Sequence, residues 1–216
     1  MFTLYSIEIA SYLAMTRGVS KTPLFCAPTY MTLFLPKPLQ KNILLRTMNI
    51  IAQTPRLLIR EFIPEDETLL LDLDADARLT RYVKKRTAQE SKKVFKDTLK
   101  DYQKKTGMGR WGIFNLADND FIGVCTLNYS EFDSSSIELG YRLHLKYWGS
   151  GIATELAQAL VHYGLNEIGL KEICAVTHPE NRASQKVLSK AGFQPHGRAF
   201  WHGDDLPFFK VSKSAF

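Results

Sequence analysis

The segment that decides the fold reads KYWGSGIATE and covers residues 146–155. It follows an apolar, strand-like run at residues 137–143 and opens a segment in which apolar side chains recur at helical spacing. Glycines at positions 149 and 151 leave the backbone open to close approach by a bulky anion. The first amides of a helix have no partner within the helix, and they carry the positive end of its dipole. A strand, a glycine-rich turn and a helix N-terminus together predict a phosphate-binding site.

Other interpretations of the two glycines are a simple tight turn or a different nucleotide motif. A tight turn into a helix would explain them equally well if they stood alone. A Rossmann dinucleotide site is disfavoured, because Thr154 stands where that motif has its third glycine. A Walker A loop is excluded, because no Gly-Lys-Ser/Thr ending follows.

Length and composition indicate one ordinary domain preceded by a different kind of segment. The 216 residues are 45% hydrophobic and 23% charged, which is typical of a soluble globular protein. The cysteines Cys26, Cys125 and Cys174 lack metal-binding spacing, so no metal is expected. Cys125 and Cys174 lie in apolar runs and are expected to be buried thiols. This favours a reducing, cytoplasmic setting.

The positive charge is unevenly placed along the chain. Of the formal net charge of +6, residues 1–47 contribute +4, from five basic residues against Glu8 alone. A nucleic-acid-binding protein would concentrate its basic residues on a folded face. No specific nucleic-acid partner is therefore predicted.

Residues 1–47 are expected to be a poorly ordered or non-native extension, with Met48 as the functional start. A secretory signal is poorly supported, because Glu8 interrupts the first apolar run and no basic region precedes it. The apolar run at residues 24–35 is too short to span a bilayer, so no membrane association is expected. A mitochondrial-type transit segment is the alternative, because the region is basic and acid-poor.

The rest of the chain predicts a mixed α/β sheet. The order is strand, two helices, three strands, helix, strand, helix and two strands. The helix after the glycine turn crosses over to a parallel strand, whereas hairpins make the other pairs antiparallel. The predicted strands cover residues 56–62, 111–116, 121–127, 137–143, 172–177, 193–200 and 206–211, and the predicted helices begin at Pro64, span 88–104, follow Gly151 and span 181–191.

This order, with GSGIATE at residues 149–155, NRAS at 181–184 and KAGF at 190–193, resembles the GNAT superfamily of acyl-CoA-dependent N-acetyltransferases. ELGY at 138–141 followed by YWG at 147–149 is most similar to the Rim-type, ribosomal-protein-alanine branch. The match covers roughly residues 54–212, which defines the predicted domain. It implies an α/β (α+β) fold with a mixed, mostly antiparallel twisted sheet flanked by helices. It also implies acetyl-CoA as donor co-substrate and an amine as acceptor.

The resemblance gives the motifs their expected roles. Amides at 149–154 would hold the diphosphate, and the pantetheine arm would pair with the strand at 137–143, which splays away from the one at 172–177. An amide near residues 139–141 would stabilise the oxyanion. Lys146, where the family often has Gln or Arg, either faces the phosphates or is a surface lysine. The predicted acetyl-CoA-binding residues are Leu139, Gly140, Tyr141, Lys146, Gly149, Ser150, Gly151, Ile152, Ala153, Thr154 and Asn181.

Two side chains are predicted to be catalytic. Glu138 is the candidate general base, because it points away from its apolar neighbours and partial burial would raise its pKa. A surface ion pair is the alternative role for Glu138, and His178 or a water chain is the alternative base. Ser184 is expected to stabilise the leaving thiolate by a hydrogen bond, because a hydroxyl is a poor acid towards a thiolate of pKa near 8.5. Asn181 shares its helix face, and it is equally explained as an N-cap.

We therefore expect a single-domain N-acetyltransferase that moves acetyl directly to a primary amine on a protein N-terminus, a polyamine or a small molecule. A catalytically inactive acetyl-CoA-binding sensor is the alternative, and either a monomer or a homodimer is expected. The basic loop at residues 78–86 borders the acceptor site in this family and indicates either an acidic acceptor or a solvated loop. Trp111, Trp148 and Trp201 are expected in the core or in pocket walls.

Overall fold

The computed structural model describes residues 49–213, apart from residues 80, 81, 83, 84 and 202 and the side chain of Trp201. The predicted extension at residues 1–47 lies outside this range, and so does part of the basic loop at 78–86.

One mixed sheet organises the described part of the chain. Its strands are β1 (Ile50–Gln53), β2 (Leu57–Arg60), β3 (Gly109–Asn115), β4 (Phe121–Tyr129), β5 (Ile137–Leu143), β6 (Glu172–Val176), β7 (Gln194–Trp201) and β8 (Asp204–Ser212). They lie in the order β1-β2-β3-β4-β5-β6-β8-β7. Every neighbouring pair is antiparallel except β5 and β6, which are parallel. The predicted mixed, mostly antiparallel sheet is confirmed.

The four helices lie where the sequence predicted them, although Pro64–Asp66 and Tyr102–Lys104, predicted as helix ends, form 3-10 turns. They are α1 (Glu67–Ala75), α2 (Ala88–Asp101), α3 (Ile152–His162) and α4 (Arg182–Lys190). Thr87 caps α2 by accepting from the amide of Glu90, whose carboxylate accepts from the amide of Thr87 in return. Gly192 follows α4 with a φ of 91°, which a glycine adopts without strain. Among the described residues no helix has the length and apolar character that a membrane span requires.

The two faces of the sheet carry different helices. Leu139 of β5 shares a buried apolar cluster with Leu156 and Leu160 of α3. Arg142, on the opposite face of β5 because side chains alternate along a strand, instead contacts Asp74 of α1. The alternation along β5 therefore separates two chemical environments, one on each side of the sheet.

The structure differs from the sequence prediction at two points. β1 was not predicted, and it extends the sheet to Ile50, ahead of the predicted domain start at residue 54. Its four residues are too few to show an alternating pattern. Trp148 was expected in the core or a pocket wall, yet it is 56% exposed and its indole N–H donates to Leu143 O. Trp111, by contrast, is confirmed as a core residue.

Candidate active site

The central feature is a gap between β5 and β6. These parallel strands are joined by a single register pair, Glu138 with Cys174. A cavity of about 770 Å³ lies along the segment where the strands part. It is lined on the β5 side by residues 139–141 and on the α4 side by Asn181 and Ser184. The expected splay is confirmed.

Glu138 stands beside this gap. It lies opposite Asn128 of β4 and is half-buried. Burial raises the pKa of the Glu138 carboxyl above its ordinary value, although the hydroxyl of Ser130 donates to Oε2 at 2.7 Å and favours the charged form. The nearby charge of Glu131 raises this pKa further. A carboxylate with a raised pKa is a stronger base than an exposed glutamate.

Ser184 and Tyr141 are in contact on the face of β5 opposite Glu138. The Tyr141 hydroxyl donates to Ser184 Oγ at 3.4 Å, and burial raises the pKa of Tyr141. Asn181 caps α4, because its Oδ1 accepts from the amide of Ser184 at 3.1 Å. The contact of the Tyr141 side chain with Ser184 was not predicted, since only the backbone of Tyr141 was expected to contribute. Strand alternation from Glu138 was the signal that could have found it.

His178 lines the same cavity. Its ring stacks on Tyr82 at 5.0 Å between centroids, and its Nδ1 accepts from the amide of Glu180 at 3.2 Å. These contacts give His178 a structural role in the loop before α4. It remains the alternative base.

The glycine-rich turn has the conformation that a phosphate site needs. Gly149 and Gly151 have φ values of 72° and 81°, in the left-handed region that favours glycine. A Cβ added at Gly149 would meet nothing within 4 Å, so the space above the turn is open. The helical ladder begins with Glu155 N donating to Gly151 O at 3.1 Å, which leaves the amides of residues 152–154 outside it. The turn therefore fits a diphosphate group.

Arg56 braces this turn from the loop between β1 and β2. Its Nη1 donates to Ser150 O at 2.9 Å, and its Nε donates to the Glu155 carboxylate at 2.6 Å. The Thr54 hydroxyl donates to the same carboxylate at 2.5 Å. Because Arg56 balances the charge of Glu155, a second anion can approach this helix end. Sequence reasoning missed Arg56, which is separated from Glu155 by 99 positions.

Lys146 has a partner within the protein. Its ammonium group pairs with Asp120, which also accepts from the Tyr147 hydroxyl. The charge of Lys146 is therefore partly balanced beside the turn. A contact between Lys146 and a phosphate remains a prediction.

The buried carboxylate of Asp74 holds α1 and α2 against β5, on the face opposite Tyr141. Asp74 of α1 contacts Arg142 of β5 and accepts from the Ser91 hydroxyl of α2 at 2.6 Å. Arg86 Nη1 lies 3.6 Å from the same carboxylate. One acidic group thus ties α1, α2 and β5 together beside the cavity. This network was also missed, because its members are distant in the sequence.

The cysteines do not have the properties of an activated nucleophile. Cys125 and Cys174 are buried free thiols, which confirms the expectation for these two positions. Burial raises the pKa of Cys174 to about 12 and raises that of Cys125 as well. No group of three or more His, Cys, Asp or Glu in the described part of the chain could hold a metal ion.

Residues 56–194 match the family model of the acetyltransferase (GNAT) domain. The chain belongs to the GNAT acetyltransferase family. It is 28% identical over 163 residues to the uncharacterized N-acetyltransferase YoaA of Bacillus subtilis, covering 73% of this chain and 92% of that protein. It is 30% identical over 146 residues to the uncharacterized N-acetyltransferase p20 of Bacillus licheniformis, with 67% and 82% covered.

A solved Rim-type structure shares the fold of this GNAT protein. RimL, a ribosomal L7/L12 alpha-N-protein acetyltransferase in complex with coenzyme A, superposes with a TM-score of 0.64 at 20% identity, covering 78% of this chain and all of RimL (100%). The predicted family is confirmed, and the protein is an acyltransferase.

A valine at Gly149 should weaken acetyl-CoA binding about tenfold or more, because a β-branched residue is strained at positive φ and its side chain would stand over the turn. Isothermal titration calorimetry measures the affinity. Gly169→Val is the matched control, since Gly169 has a φ of 75° and open space around its Cβ but lies in the loop before β6. Equal affinities for the two variants would contradict the assignment.

Proposed function

We propose that this GNAT-family protein transfers acetyl from acetyl-CoA directly to a primary amine, with Glu138 as general base. The observation that carries the proposal is a half-buried carboxylate of raised pKa beside the gap between β5 and β6. A family member needs a base at the point where the acceptor meets the thioester. Glu138 is the acidic residue of β5 and lines the cavity at this point.

The acceptor nitrogen must lose a proton before it can attack. Glu138 takes that proton from the ammonium group, either directly or through a water molecule. The neutral amine then forms a C–N bond to the acetyl carbon. An amide near Leu139–Tyr141 donates to the oxygen on which negative charge develops. Breaking of the C–S bond completes the transfer.

The sulfur leaves on the opposite side of β5. The Ser184 hydroxyl donates a hydrogen bond to the departing thiolate, and the Tyr141 hydroxyl in turn donates a hydrogen bond to Ser184. After the C–N bond has formed, the nitrogen loses a second proton. The thiolate takes up this proton, so coenzyme A leaves as a thiol. The raised pKa values of Cys125 and Cys174 disfavour an acetyl-enzyme intermediate and support direct transfer.

Release of free coenzyme A thiol in the presence of primary amines tests the proposal. The amines should include peptides, polyamines and small molecules, and acetylated product is identified by mass spectrometry. Glu138→Gln should lower kcat/KM about 100-fold or more, because general-base catalysis typically contributes that much. His178→Asn should lower it far less.

Acetyl-CoA binding without turnover across the whole amine panel would instead favour an inactive sensor. An equal loss of rate in His178→Asn and Glu138→Gln would contradict Glu138 as the base. For His178→Asn and Glu138→Gln alike, the affinity for acetyl-CoA measured by calorimetry shows whether the variant is still folded.

Ser130→Ala should move the acid limb of the pH–rate profile to higher pH. The Ser130 hydroxyl stabilises the charged form of Glu138, so its removal raises the pKa of Glu138 further. A base acts only when deprotonated, so the rate falls as pH falls through that pKa. Ser135→Ala is the control, because the Ser135 hydroxyl donates to Asp133 instead. An acid limb that stays in place in Ser130→Ala would refute the assignment.

A further inference from the structure

Arg110 occupies the middle of the face on which Glu138 lies. It stands opposite Thr126 of β4, which stands opposite Gly140 of β5. Directly opposed residues share a face, so Arg110 lies on the face of Gly140, together with Glu138 and Arg142 two residues to either side. Arg110 lines the large cavity and also an adjoining cavity of about 310 Å³ that contains Glu138.

The guanidinium of Arg110 has no protein partner among the described residues. Arg142 and Arg86 share the carboxylate of Asp74, but no ion pair or hydrogen bond joins the Arg110 side chain to another described residue. The Glu131 carboxylate favours the charged form from a distance, without an ion pair within 4.0 Å. Within the described part of the chain, Arg110 is thus a cation that forms no ion pair, although carboxylates such as that of Glu131 also line the smaller cavity.

The environment of Arg110 makes that charge costly. Burial, and to a smaller extent repulsion from Arg86, lowers the pKa of Arg110 to about 10. The group therefore remains cationic at neutral pH, although its surroundings disfavour the charge. An anion in the cavity would relieve this cost, and a carboxylate matches the planar donor fork of a guanidinium.

The backbone at Arg110 is held in place. The Tyr102 hydroxyl donates to Arg110 O at 2.5 Å and accepts from the amide of Phe62 at 3.1 Å. These bonds connect the end of α2 and the segment after β2 to β3. The backbone from which the Arg110 side chain enters the cavity is therefore held in place, which is one requirement of a specific binding residue.

We infer that the acceptor is a primary amine that also carries a carboxylate, bound with its carboxylate on Arg110 and its nitrogen at Glu138. This inference rests on the proposed function. Sheet spacing places the Cα atoms of Arg110 and Glu138 about 12 Å apart, two strands across and two residues along. Because strand side chains stand roughly perpendicular to the sheet, and no ion pair joins these two groups, a small amino acid has room between them. A polyamine would instead bring a second positive charge to Arg110.

Matched pairs of amines test the inference through thiol release. β-Alanine is compared with β-alaninamide and 4-aminobutyrate with its amide, and peptides beginning with Asp or Glu are compared with those beginning with Asn or Gln. The first two pairs report a free amino acid as acceptor, whereas the peptide pairs report a carboxylate on an N-terminal side chain. The readout is the ratio of kcat/KM for each acid to that for its amide.

The acid should be preferred in at least one class of pair, and Arg110→Gln should reduce that ratio about tenfold or more. Comparing ratios between variants cancels the intrinsic reactivity of each amine. Arg110→Lys keeps the positive charge but lacks the planar pair of N–H donors, so it should give an intermediate acid-to-amide ratio. Arg198→Gln is the matched control, because Arg198 is half-exposed and pairs with Asp205 outside the cavity lining. It should leave the ratio unchanged.

A ratio that is the same in the wild type and in both Arg110 variants would overturn the inference. Acetyl-CoA binding with transfer to neither member of any pair, or only to the amides, would overturn it as well. Such results would leave the proposed function standing wherever another amine is acetylated. Failure of the wild-type protein to bind acetyl-CoA would instead overturn the proposed function itself.

Discussion

The broken hydrogen-bond ladder between β5 and β6 is the constraint on which the rest of the site depends. Elsewhere the sheet is built from pairs with several registered residues, but these two strands share only the pair of Glu138 and Cys174. Backbone groups along a parted strand need another partner, because unpaired buried amides and carbonyls are costly. A substrate with amide groups of its own, such as the pantetheine arm, can supply that partner. We propose that the gap in the sheet in this way becomes the binding site for acetyl-CoA.

Strand alternation then distributes the chemistry over the two faces of β5. Glu138 faces the side of α1 and α2, where Arg110 and the Asp74 network lie. Tyr141 faces α4 and donates to Ser184. In the proposed reaction, the base lies on one face and the hydrogen-bond donor for sulfur on the other, so the amine enters from one side and the thiol leaves from the other. Neither group needs to move across the strand.

Local signals in the sequence predicted most of the fold and part of the site. The glycine turn, the N-cap at Asn181 and the alternation around Glu138 all act over a few residues, so spacing alone reveals them. Contacts between distant segments leave no such pattern. The brace of Arg56 on Glu155 and the pairing of Arg142 with Asp74 join residues separated by 99 and 68 positions. These contacts required the structure, as did the short β1 strand.

Amide hydrogen exchange with and without acetyl-CoA tests the role of the gap most directly. If the pantetheine arm completes the ladder, the amides of residues 139–141 should become protected in the complex, together with those of the turn at 149–154. The amides of β3, which are already paired on both sides, should change little and serve as the internal reference. Binding of acetyl-CoA with unchanged exchange at residues 139–141 would contradict this account.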